Sequence, residues 1–269
     1  IATYGVTFQL FRPGSDMNLA RIDLARREVL TKTGRVIRTF RSTCPDRLYA
    51  APWNSSTVLE IDPATFNVNE INVPKKYAGH RVDEIHGVLH DCEHDRVVIA
   101  NSRNPVVFVY NTRTKTIEKT LGIEDLPGVR MGDHVMAMGV NPDTGKILVG
   151  TSGVNSLIEL SPDTLEPVSV GTTPEMGIDL NMSPDGKFFY FNSFVSGHLW
   201  VIDSGTMKIV RDIRTPIHCR RVEGSPDGRV LYVLSYVTGE LISYDAGTGK
   251  MLRRIWIGPK PEGLAVSRN

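Results

Sequence analysis

Three histidines recur at intervals of four, His86, His90 and His94. Histidine both ligates metals and titrates near neutral pH, so this spacing is a chemical signal. On a helix it would set three imidazoles on one face and define a metal site. On a strand, four residues span about 13 Å, too far for one ion. The element around them decides. Other chemistry-bearing patterns fail on their own terms. In GVNPDTGK, which ends at Gly145-Lys146, the leading glycine is one residue too distant for a phosphate-cradling loop. Gly150-Thr151-Ser152-Gly153 lacks the last glycine of a nucleophile elbow, and no G-x-G-x-x-G occurs. Cys44, Cys92 and Cys219 form no C-x-x-C pair, which excludes a zinc ribbon or a thioredoxin-type motif.

Composition narrows the classes further. The chain has 269 residues, 41% apolar and 23% charged, with a formal charge of +1. That is ordinary globular composition with enough apolar material for a core. The near-zero charge gives no argument for nucleic acid as a partner. No apolar run is long enough for a transmembrane helix, and a monomer is expected.

A repeat supplies the elements that position any site. SPDGKFFYFNSFVSGHLWVIDSGTMKIVRDI, from Ser183 to Ile213, aligns without gaps on SPDGRVLYVLSYVTGELISYDAGTGKMLRRI, from Ser225 to Ile255, at an offset of 42. A weaker plan runs along the whole chain: a strand ends in Asp, Asn or Ser and a Thr follows three residues later. It recurs at Asp62, Asn111, Ser161, Asp203 and Asp245, with a sixth copy begun at Asp23. Such residues stabilise tight reversals by bonding the backbone just ahead. The flanking runs are rich in Val, Ile, Leu, Tyr and Phe and read as strands. In the fifth copy the four strands are GIDLNM, KFFYFNS, HLWVID and KIVRDI. Six copies of four strands predict an all-β, six-bladed β-propeller in one domain over residues 1–269. The tail PEGLAVSRN reads as a first strand and the head IATYGVTFQL as a second, so the two ends are expected to close one blade together. Longer loops fall near Lys75–Arg81 and Gly122–Gly132.

The first strand of a propeller blade borders the central channel, where ligands gather. Aligned on the following turn, one register of these strands reads Arg38, His86, Met136, Ile178, Arg220 and Glu262. Two residues earlier, on the same face, stand Val36, Glu84, His134, Met176, His218 and Lys260. Arg38, Arg220, Lys260 and Glu84 are therefore candidate ligand-binding residues, with the arginines suited to an anion. His86 and His134 are candidate general bases and Glu262 a candidate acid or metal ligand. A divalent ion shared across blades by His134, His218 and a carboxylate stays open. On the alternate face Asp179 and Arg221 of neighbouring blades are expected to form a structural ion pair, and Gly87, Ala137 and Gly263 to allow close blade packing. Cys44 and Cys92 are read as free thiols, because the radial gap between blades exceeds disulfide reach.

SPDGKFFYFN, SPDGRVLYVLSY, LWVIDSGTMKIV and GPKPEGLAVS are similar to the YVTN-type propeller repeats. The chain also resembles, more distantly, propeller lyases of the streptogramin-lyase type, which use an axial His/Glu site with magnesium. The first resemblance implies an exported protein. Two functions follow as expectations. One is a small-molecule-binding propeller with a polar His/Arg/Glu axial pocket, acting as a lyase, hydrolase or isomerase on an anionic ligand. The alternative is a non-catalytic interaction module of an exported or cell-surface complex, with protein contacts on loops 75–81 and 122–132. Whether the protein is an enzyme is left open by these residues. A metal-dependent sugar lactonase fits less well, since its axial Glu/Asn/Asp set is replaced here by His and Arg.

Overall fold

The computed structural model describes residues 7–11, 18–23, 28–31, 47–51, 56–62, 67–130, 133–141, 143–153, 155–261, 263–264 and 266. Within these residues the chain is built from antiparallel strands, and a single 3-10 turn at Ile123–Asp125 is its one helical element. Three short strands come first, β1 (Thr7–Phe11), β2 (Asn18–Asp23) and β3 (Glu28–Thr31), in one sheet. A second three-stranded sheet holds β4 (Leu48–Ala50), β5 (Thr57–Ile61) and β6 (Val68–Asn72). The segment expected as a plain loop after it carries a small hairpin, β7 (Lys76–Tyr77) with β8 (His80–Arg81).

Four four-stranded meanders follow. They are β9 (Ile85–Asp91), β10 (Arg96–Asn101), β11 (Val106–Asn111) and β12 (Thr116–Leu121); then β13 (His134–Val140), β14 (Ile147–Ser152), β15 (Ser156–Leu160) and β16 (Pro167–Thr172). After these come β17 (Gly177–Met182), β18 (Phe188–Ser193), β19 (His198–Asp203) and β20 (Lys208–Arg214), and finally β21 (Cys219–Gly224), β22 (Val230–Ser235), β23 (Glu240–Asp245) and β24 (Met251–Trp256). The first strands of the four-stranded sheets touch one another in succession, β9 to β13, β13 to β17 and β17 to β21, and β4, a second strand by the repeat, also touches β9. Each of these four sheets thus stands as a blade with its first strand innermost, a propeller-like arrangement. The expected fourth strand of the N-terminal blade is not seen among the described residues, since none of those described between 257 and 266 is in a strand.

The core lies between blades, and strand periodicity explains why. In β10, Val97 and Ile99 pack with Val58, Ile71 and Phe108 on one side, while Val98 and Ala100 pack with Ile147, Val149 and Ile158 on the other. Alternate residues of one strand therefore serve two cores. That is why all six residues of β10 are buried and the run carries no polar alternation. The same layering repeats, with Leu148, Leu157, Phe189, Phe191 and Trp200 in one layer and Leu199, Val201, Val222, Val233 and Ile242 in the next.

The turn chemistry follows the repeat. Asp203 Oδ1 accepts the Thr206 backbone N–H and hydroxyl at 2.8 Å each, and Asp245 does the same with Thr248 at 2.7 Å. Asn111 and Ser161 hold Thr114 and Thr164 by their backbone N–H groups. In both SPDG turns a serine hydroxyl donates to the aspartate two residues on, Ser183 to Asp185 at 2.7 Å and Ser225 to Asp227 at 2.6 Å. These bonds hold the Asp185, Asp203, Asp227 and Asp245 carboxyls below the usual range.

Three side-chain expectations meet the structure here. Arg221 Nη1 donates to Asp179 Oδ1 at 3.0 Å, bridging neighbouring blades, and the Val222 N–H donates to Asp179 Oδ2 at 2.9 Å. A Cβ on Gly87 would stand 2.9 Å from Met138 Cε, so small residues do set the blade spacing there. The free-thiol reading is corrected for Cys92, which is disulfide-bonded. Cys219 is a free, buried thiol, and Cys44 lies outside the described residues.

Candidate functional site

His86 and His90 lie on β9 and His94 in the turn after it, so the interval of four spans a strand and no shared face of a helix. His94 Nδ1 is 3.0 Å from Asp91 Oδ2, beside Arg96, whose Nε donates to the same oxygen at 2.8 Å. These two groups brace the outer end of β9. His90 packs edge-on against Tyr49 at 4.7 Å between centroids, and burial lowers its pKa.

The candidate ligand residues gather on the rim where innermost strands begin. We call it the start face. Two kinds of connection reach it, the crossings from one blade to the next and the turns between second and third strands. Glu84 sits just before β9, with its N–H on Asn101 Oδ1 at 2.9 Å and its carboxylate 3.0 Å from Arg103 Nε. His134 opens β13, and its Nδ1 lies 3.1 Å from Ser102 Oγ. The Ser102 N–H donates to the Glu84 carbonyl at 2.7 Å, so Glu84, Ser102, Arg103 and His134 form one polar group across two blades. His86 is half-buried on β9, two residues beyond Glu84. The Ser102–His134 contact has the reach of a nucleophile and base. Ser102 is only 1% exposed, however, which suits it to orienting the ring and not to attacking a substrate.

The second group lies on the last two complete blades. His218 precedes β21 with a positive φ of 57°, and its ring packs on Phe194 at 4.4 Å between centroids. The guanidinium of Arg220 is 4.7 Å from the Phe194 ring centroid and 4.9 Å from that of Tyr236. Phe194 and Tyr236 therefore flank it, a cation–π arrangement that fixes a long side chain at little further entropy cost. Backbone bonds tie the group together, His218 N–H to Phe194 O at 2.8 Å and Tyr236 N–H to His218 O at 3.1 Å. Lys260 is exposed beyond β24, at a positive φ of 51°. Arg38 and Glu262 lie outside the described residues.

The structure thus pairs Glu84 with His134, and His218 with Arg220, in two separate neighbourhoods. His134 Nδ1 is engaged by Ser102, the His218 ring is packed on Phe194, and no set of three His, Cys, Asp or Glu suited to an ion exists among the described residues. Reading the sequence for charged inner-strand residues missed Ser102, Arg103, Phe194 and Tyr236, all on turns between second and third strands. A signal existed for two of them. Phe194-Val195-Ser196-Gly197 and Tyr236-Val237-Thr238-Gly239 are the same turn in successive repeats.

The two long loops also meet. The Tyr77 hydroxyl donates to Glu124 Oε1 at 2.8 Å, joining the β7–β8 hairpin to the 3-10 turn. A shallow cleft there is lined by Tyr77, His80, Asn104, Pro105, Val106 and Glu124.

No family model matches the sequence, and no curated protein does. Solved structures do share the fold. A chain of a mitotic checkpoint complex is similar with a TM-score of 0.64 at 10% identity, over 80% of this chain and 61% of that one. The hydrazine synthase of Kuenenia stuttgartiensis is similar with a TM-score of 0.55 at 21% identity, over 67% of this chain and 52% of that one. The chain thus spans about three fifths of the first and half of the second. At these identities the likeness concerns the fold.

Proposed function

We propose that the protein is a ligand-binding propeller whose start face takes up an anionic molecule through Arg220. The observation that carries this reading is the guanidinium flanked by Phe194 and Tyr236. A preordered arginine beside His218 offers planar donors and positive charge where ligands of this fold collect. No catalytic role is proposed for His86, His134 or Glu262, and no metal enters the reading.

Titration with citrate and with inorganic phosphate by calorimetry tests it. Arg220→Ala removes charge-assisted bonds of about 1.5–3 kcal/mol and should weaken binding about 10- to 100-fold. Unchanged affinity for the anion that binds the wild type would overturn the role of Arg220.

A second reading, an interaction module, is favoured by the apolar residues exposed beside the same arginine. The mitotic checkpoint complex is an instance of this fold inside a protein assembly.

Two finer statements belong to the proposal. The ring is six-bladed and closed by the chain's two ends, which the bare face of β24 supports. The protein is exported, which the disulfide at Cys92 supports, because such bonds persist in oxidising compartments.

A further inference from the structure

The outer strands of the four-stranded blades differ in what they show at the open edge. β16 is the end strand of its sheet, with β15 on one side. The Thr173 N–H donates to the Asn155 carbonyl at 2.9 Å, and the register is unbroken from Ser156 with Thr172 to Glu159 with Ser169. Antiparallel ladders alternate bonded and non-bonded pairs. Thr173, Gly171 and Ser169 therefore bond inward to β15, and the N–H and C=O of Thr172 and Val170 point to the open edge. Their side chains stand outside too. Val168 and Val170 are 51% and 48% exposed, and Thr172 is exposed beside them. Matched by register, the same positions hold Val210, Asp212 and Arg214 on β20, and Leu252, Arg254 and Trp256 on β24. On β12 they include Glu118. Each of those edges carries a charge, the usual means of blunting an edge strand. β16, PVSVGT, carries none.

We infer that β16 pairs edge to edge with β16 of a second copy of this chain, antiparallel about a two-fold axis at Val170. Backbone parity sets the register. Only residues whose N–H and C=O face outward bond across the edge, so Val170 meets Val170 of the second copy and Thr172 meets its Val168. These side chains share one face, and the pairing lays a neutral row of branched side chains across the junction. The lack of charge is what selects a second copy. About a two-fold axis the central residue meets its own like, and a charge there repels itself. Asp212 on β20 and Arg254 on β24 hold that central position and would each do so. The flanks raise no conflict, since Glu166 falls opposite Pro174 and Glu175 opposite Leu165. Pro167 and Pro174 bracket the strand, and without an N–H they keep the pairing short. A two-fold contact occupies both edges and closes as a dimer. Its small extent makes it weak, with a Kd on the order of 0.1 mM, and the monomer expected from the sequence is its dilute form. The inference stands apart from the anion reading, because it uses no residue near Arg220.

Sedimentation velocity of the purified protein from about 1 μM to about 1 mM reads the association, and the sedimentation coefficient should rise with concentration to that of a dimer. Val170→Lys sets two like charges face to face and should weaken the dimer about tenfold. Val170→Pro should do the same, since it removes an outward N–H and no bond to β15. A urea midpoint near that of the wild type shows that each variant is folded. The register has its own readout. Cα atoms of a bonded antiparallel pair stand about 5.5 Å apart, within disulfide reach. Under copper–phenanthroline oxidation, Val170→Cys should therefore cross-link two copies about tenfold faster than Thr172→Cys, or than Val210→Cys on the edge of β20. A dimer that Val170→Lys leaves unchanged, or equal cross-linking at the three positions, would overturn the pairing. So would a protein that stays monomeric throughout, and the edge would then belong to a strand of another protein.

Discussion

His90 is neutral by environment. Its ring is half-buried against Tyr49, and burial outweighs the pull of Asp91, Glu60 and Asp95 in setting its pKa below the ordinary value. The sign follows directly. A histidine with a depressed folded-state pKa leaves stability intact above the unfolded value, near 6.5, and removes it as pH falls through the folded value. The urea midpoint should therefore decline as pH is lowered from about 7 through 6 towards the folded pKa. His90→Phe should flatten that part of the profile, and a variant with the wild-type slope would contradict the assignment. The Asp179–Arg221 pair was legible from register alone, because equivalent strands in adjacent blades place their residues at one level. The partners of Arg220 were not legible that way. Phe194 and Tyr236 reach it from turns whose side chains follow no strand periodicity.

Strands carry the next level. The register β20 to β24 is the repeat offset, so Ile213 corresponds to Ile255 and Arg211 to Arg253. On β20 this face is covered by the following blade: Ile213 is 2% exposed and Arg211 Nη1 donates to the Ala246 carbonyl at 2.6 Å. On β24 the same face stands open, with Met251 48% exposed and Arg253 also exposed. A face that the repeat shapes for burial calls for another sheet, and the proposed ring closure would supply the N-terminal one. Ile255→Glu should then lower stability by about 2–3 kcal/mol, as a charge placed in an interface does. A urea midpoint equal to wild type would show that no blade covers β24. The strands of the fifth copy fall within a residue of their expected bounds, since alternating apolar runs and Asx turns are local signals.

At the scale of the whole molecule, the disulfide at Cys92 supports the proposed export. In protein isolated from its host with an alkylating agent present and no reductant, Cys92 should remain unlabelled. Cys219 should resist as well until the chain is denatured, because burial pushes its thiol pKa up to about 11. Labelling of Cys92 in the native, unreduced protein would argue against export. Among the described residues, blade stacking gives one apolar layer per interface. The start face is therefore free to carry polar groups without loss of packing.

By itself the sequence determined the class of fold, the strand runs, the turns and the level at which inner-strand residues stand, because each of these is set by periodicity or by bonds within a few residues. Tertiary structure alone decided which of those residues meet. It joined Glu84 to His134 through Ser102, placed Arg220 between two aromatic rings, kept His134 and His218 in separate neighbourhoods, and brought Cys92 within disulfide reach. Those contacts depend on blade spacing and on the path of turns, which are fixed by packing between sheets and leave no local trace in the chain.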